Sequence, residues 1–252
     1  MLSIFTVLGF GFVLGLRHAT DADHVVAVIT ILGRHGKIRH STLIGILWGI
    51  GHSITVTLIA IPIIFYSFII PPSLELILEL IVGIMLAILG ILTLSGITER
   101  ITKRFTPPTI HKHAHESKRG KSHSHLHFHF SNFLNQNVHH IGIFQIVRPI
   151  VVGLVHGLAG SAAVSLLILS TIKNPILSAF YLLIFHFGVV VGMMVITTLL
   201  GASIILIKRK SENLHQYLIS ASGVLSLSFG LYLIYKTAFQ ENFRLDLLSS
   251  MF

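Results

Sequence analysis

Six long apolar runs alternate with short polar or proline-bearing breaks along the chain. They lie at about 2–33, 41–66, 74–96, 146–171, 176–207 and 214–236. The breaks read "GRHGKIRHS", "SFIIPPSLE", the long segment 97–145, "TIKNPI" and "KRKSEN". A membrane-crossing helix needs about 20 mainly apolar residues, so every run is long enough to span. The pattern predicts an all-α polytopic membrane protein with six transmembrane helices. The first run lacks a basic leading region and a small-residue cleavage site, and reads as a retained span. At about 1.5 Å per residue it would reach ~48 Å against ~30 Å of hydrocarbon. It must therefore tilt or break, and Gly15 is the expected break.

Composition supports this class. The chain is 53% hydrophobic and only 11% charged, with a mean hydropathy of +0.84. Soluble domains carry about a quarter charged residues. The absence of cysteine excludes disulfides and thiolate metal ligands. The basic residues then vote on orientation. The loops after spans one, three and five hold 14 of them, among them Arg34, Lys37, Arg39, Lys118, Arg119 and Lys208–Lys210, against three on the other side (Lys173, Lys236, Arg244). The positive-inside rule places the first set in the cytoplasm of a plasma-membrane protein, with both termini outside.

The two halves resemble each other. "GLRHATDADHVVAVITIL" (15–32) aligns with "GLVHGLAGSAAVSLLILS" (153–170), matching His18 to His156. "WGIGHSITVTLI" (48–59) aligns with "LLIFHFGVVVGM" (182–193), matching His52 to His186. "VGIMLAILGI" (82–91) aligns with "SGVLSLSFGL" (222–231), with both glycines in register. Three spans per half make the second copy insert upside down, an architecture shared by many secondary transporters. The expected organisation is a first three-helix repeat at 1–96, a cytoplasmic histidine-rich loop at 97–145, an inverted repeat at 146–240 and a tail at 241–252.

Arg17, His18, Asp21, Asp23 and His24 crowd one stretch of the first span, where charge is costly and usually faces a cavity or a partner. One reading is structural: Arg17 neutralises Asp21 at helical spacing. It leaves the histidines unexplained. On a continuous helix His18, Asp21 and His24 share a third of the circumference, and Asp23 points elsewhere. Imidazole and carboxylate on one face suit a divalent first-row metal. Arg17 is assigned to holding an aspartate or the helix break. His52, among Gly49, Gly51 and Ser53, is a ligand or orients one. In the second half His156, Ser161 and His186 are candidates for a transit position or gate. Glu75 and Glu79 read as a solvated helix end more readily than as a cation vestibule. The loop histidines His111, His113, His115, His123, His125, His127 and His129 form a metal-chelating pattern in a segment too polar to fold alone.

"RHATDADH" resembles the His-x4-Asp-His motif of the nickel/cobalt transporter (NiCoT) family, as His18, Asp23 and His24. "GHS" at 51–53 resembles a second motif of that family, and "HGLAGSAAV" at 156–164 resembles its short UreH-like nickel permeases. Members typically have eight spans, so six place this chain nearer the short branch. The resemblance implies permeation of Ni²⁺ or Co²⁺, with the His-x4-Asp-His residues essential for selectivity.

The leading expectation is uptake of Ni²⁺, or Co²⁺, by alternating access. The metal would bind His18, Asp23 and His24, with Asp21 and His52 completing or orienting the site. Efflux, an intramembrane zinc-dependent hydrolase and a metal sensor are the competing classes. The hydrolase lacks His-Glu-x-x-His and a nearby glutamate base, so the chain is expected not to be an enzyme. No phosphate-binding loop appears. Expected partners are the lipid bilayer and the metal ion, with a cytoplasmic metallochaperone or a second copy of the chain, and no nucleic acid.

Overall fold

The computed structural model describes residues 4–32, 38–66, 71–97, 143–158, 172 and 174–239. Ser161 and the histidines of the 97–145 loop lie outside the described residues. Seven helices and no strand occur among those described. They are α1 (Ile4–His18), α2 (Ala22–Leu32), α3 (Ile38–Tyr66), α4 (Pro72–Leu94), α5 (Ile143–His156), α6 (Pro175–Lys210) and α7 (Glu212–Ala238). Four of these, α3, α4, α6 and α7, are long and apolar enough to cross a membrane.

The ends follow from local chemistry. Pro72 opens α4, where its missing N–H costs nothing. Asn174 accepts the amides of Ile176 and Leu177 at the start of α6, and Ser211 accepts that of Leu214 at the start of α7. Gly96 follows α4 with φ +67°, a conformation that favours glycine. Outward-facing side chains are apolar: Leu58, Leu183 and Leu206 are each more than 60% exposed. Such a surface suits lipid rather than water. Inward, Trp48, Val56, Phe185 and Met193 are completely buried.

The helices pair as α1 on α6, α5 on α3, α3 on α6 and α4 on α7. Exchanging α1 with α5, α3 with α6 and α4 with α7 maps this set of pairs onto itself. The α4–α7 seam needs glycine. A Cβ on Gly90 would stand 2.7 Å from the Gly223 carbonyl oxygen, and one on Gly83 would stand 3.1 Å from that of Gly230. Small residues let membrane helices approach this closely.

The first apolar run does break, but at Ala19–Asp21 and not at Gly15. The Thr20 hydroxyl and amide both donate to the Arg17 carbonyl, at 2.6 and 2.8 Å, which takes that carbonyl out of the helical ladder. The Asp21 carbonyl then accepts the Val25 amide and opens α2. Gly15 is instead where α1 presses on the α6 backbone at Phe185, with no room for a Cβ. The second half repeats the same ending. Ala19 N donates to Gly15 O as Gly157 N does to Gly153 O, and Thr20 N donates to Arg17 O as Leu158 N does to Val155 O. Both α1 and α5 therefore stop at a histidine, His18 or His156.

Candidate metal site

The ends of α1 and α5, the start of α2 and the middle of α3 bring four buried histidines together. His18 closes α1, His24 lies in the first turn of α2, His52 sits mid-α3 and His156 closes α5. His24, His52 and His156 are fully buried and His18 is 5% exposed. The His24 ring is the hub, with centroids 4.2 Å from His156, 4.7 Å from His18 and 5.3 Å from His52. Small residues make the cluster possible: Gly153 lets α5 reach the α3 backbone at Trp48 and His52, and Gly157 does the same one turn later.

Two carboxylates orient the rings. His18 Nδ1 donates to Asp21 Oδ2 at 2.9 Å. His156 Nε2 donates to Asp23 Oδ2 at 3.0 Å, and His24 Nδ1 approaches Asp23 Oδ1 at 3.3 Å. His18 Nε2 and His52 Nε2 lie 3.0 Å apart. With neutral rings the chain is self-consistent: His18 spends its proton on Asp21, so His52 donates to His18. That leaves the lone pairs of His24 Nε2, His52 Nδ1 and His156 Nδ1 unspent. All three atoms are buried without a hydrogen-bond partner. Buried polar atoms are normally satisfied, and a ring nitrogen freed by a carboxylate on the opposite nitrogen is the usual arrangement of a metal-binding histidine. Among the described residues two groups of three meet the distance needed to hold an ion, His18 with His24 and His52, and Asp23 with His24 and His156.

Several expectations change here. The break at 19–21 removes the continuous helix on which Asp23 would point away. Asp23 instead faces His24 and His156, and Asp21 turns back onto His18. Arg17 is exposed, and among the described residues Asp21 pairs with His18 rather than with Arg17. The match of His52 to His186 is three residues out of register. A Cβ on Gly15 would meet the Phe185 carbonyl and the Val189 amide, while one on Gly153 would meet the Trp48 carbonyl and the His52 amide. Packing thus pairs His52 with Val189. His186 joins neither ligand group found among the described residues, and its Nδ1 lies 3.5 Å from Thr57 Oγ1 in an outward groove lined by Ile50, Ile54, Leu58 and Phe187. Glu79 accepts from Lys236 of α7 at 2.9 Å, consistent with a helix-end ion pair.

Trp48 was not singled out by its sequence context. Its ring is fully buried, stacked 6.2 Å from His24 and edge-on 5.6 Å from His156. A lone tryptophan four residues before a mid-span histidine was the available signal.

A family model described as "High-affinity nickel-transport protein" (NicO) matches residues 4–146. The urease accessory protein UreH of Bacillus sp. (strain TB-90) is 34% identical over 241 residues, covering 94% of each chain. No solved structure matches.

Proposed function

The chain belongs to the NicO family of high-affinity nickel-transport proteins, and from that premise we propose that it moves Ni²⁺ into the cytoplasm through the four-histidine centre by alternating access. It is an integral membrane permease and not an enzyme. The observation that carries the reading is the set of three unspent, buried imidazole lone pairs around His24, flanked by Asp21 and Asp23. Imidazole suits nickel and cobalt alike, so Co²⁺ is the second proposed substrate.

Six spans in two inverted repeats are the proposed frame. Support comes from the contact pattern that survives exchange of the halves, from the shared ending of α1 and α5, and from the crossed glycine pairs of α4 and α7. Discontinuous helices at a midplane site are typical of such carriers. The first span would cross as α1 plus α2. His18, Asp23, His24, His52 and His156 supply the ligands of the centre, and Asp21 orients His18. Ser161 and His186 are assigned to gating in the second half, and Arg17 to the helix end. The loop histidines His111–His129 collect or regulate cytoplasmic metal, where a metallochaperone would meet the chain. The membrane potential supplies about 2.3 kcal/mol per charge per 100 mV for inward movement.

The test is ⁶³Ni²⁺ flux into proteoliposomes under an inward-negative potential, with Co²⁺ and Zn²⁺ as competitors. Asp23→Asn keeps the shape but removes the charge that faces two ligand rings. Flux should fall about tenfold or more, the usual cost of losing a carboxylate that orients ligands. Undiminished flux would remove Asp23 from the route, and flux that runs only outward would reverse the direction.

A further inference from the structure

The cluster holds two overlapping three-ligand positions rather than one. His18, His24 and His52 form the first, and Asp23, His24 and His156 the second; within each, the ligand atoms lie within 4.8 Å of one another. We propose that the permeating ion occupies these two positions in turn, with the His24 ring common to both and passing the ion between them. This rests on the nickel-carrier reading above.

Each position is spanned by its own hydrogen bond. His18 Nε2 to His52 Nε2 spans the first, and His156 Nε2 to Asp23 Oδ2 spans the second, both at 3.0 Å. An ion in one position replaces that bond, the ring proton of His52 or His156 shifting to its otherwise unspent Nδ1, and leaves the other bond intact. Simultaneous occupancy would put two divalent charges on one buried imidazole, where repulsion is little screened. The positions also differ in charge. Three neutral imidazoles leave an ion in the first at full charge, whereas the Asp23 carboxylate offsets part of it in the second. Their third ligands come from different elements, His52 from α3 and His156 from α5, while Asp23 and His24 both ride on α2. A small shift of α2 against the packed α3–α5 pair exchanges one triad for the other. In this structure His24 stands nearer His156, at 4.2 Å, than His52, at 5.3 Å.

The test uses full-length protein in lipid nanodiscs for Ni²⁺ equilibrium binding and nickel K-edge absorption, and in proteoliposomes for ⁶³Ni²⁺ flux. His52→Ala and His156→Ala are compared singly and together, with His52→Asn and His156→Asn replacing any alanine variant that is not monodisperse. With the seven loop histidines between His111 and His129 replaced by alanine in every protein compared, each single variant should still bind one Ni²⁺ per chain while flux falls about tenfold or more. The His52→Ala site should show imidazole with carboxylate oxygen, and the His156→Ala site imidazole alone. The double variant should bind about a hundredfold more weakly than either single one. A folded single variant that binds no nickel would mean one composite site and overturn the proposal. A single variant with wild-type flux, or a double variant that binds as tightly as the singles, would do the same. Wild-type protein that neither binds nor carries nickel would instead overturn the carrier reading itself.

Discussion

At the scale of single residues, the site is decided by which nitrogen of each histidine is spent. Asp21 accepts from His18 Nδ1, and Asp23 accepts from His156 Nε2 and faces His24 Nδ1, which leaves His24 Nε2 and His156 Nδ1 unspent. Asp23, directly before His24 in the sequence, therefore orients two of the rings. Trp48 gives this scale its own prediction. It is the only tryptophan of the chain, and its ring stacks 6.2 Å from that of His24. Nickel bound at His24 should quench tryptophan fluorescence in a saturable way. The titration should go flat in His24→Ala, and a quench that persists in that variant would show that the metal near Trp48 does not depend on His24.

At the scale of elements, interruption matters as much as span length. Hydropathy marked the first run as too long for one straight helix, but the break fell where Thr20 captures the Arg17 carbonyl rather than at the glycine. Gly15 was unavailable as a hinge because it carries helix packing. The same reasoning applies to α4 and α7, where glycines cross in pairs. Gly90→Leu would put side-chain atoms into the Leu227 amide and Gly223 carbonyl. Overpacking of this kind costs about 1–3 kcal/mol. The unfolding midpoint of the purified protein should drop, while Ile88→Leu, on the half-exposed face of the same helix, should leave it unchanged. Equal midpoints for the two variants would show that the seam opens freely.

At the scale of the whole molecule, the proposed orientation has both termini outside and the 97–145 loop in the cytoplasm. The chain contains no cysteine, so single cysteines can be read without background. In intact cells a membrane-impermeant maleimide should label Ser3→Cys and leave Ser122→Cys unlabelled until the membrane is opened. The reverse pattern would invert the topology and place the histidine-rich loop outside. The ion pair between Glu79 and Lys236 contributes little to this frame, since exposed pairs are worth about 0.2–1 kcal/mol.

The all-helical membrane class, the positions of α3, α4, α6 and α7 to within about three residues, and the concentration of costly polar residues at His18, Asp21, Asp23 and His24 were legible in the amino-acid order. Each depends on local quantities: a run length set by the bilayer, and residue types too costly to bury without a purpose. The placing of Asp23, the arrival of His156 beside it, the position of His186 outside both ligand groups and the burial of Trp48 were decided only in three dimensions. These depend on how close α5 comes to α3 and α1 to α6, which is set by the backbone contacts at Gly153 and Gly15. A one-dimensional alignment can slide a helix by three residues at almost no cost. A packed seam cannot, because that slide turns every side chain away from its partner.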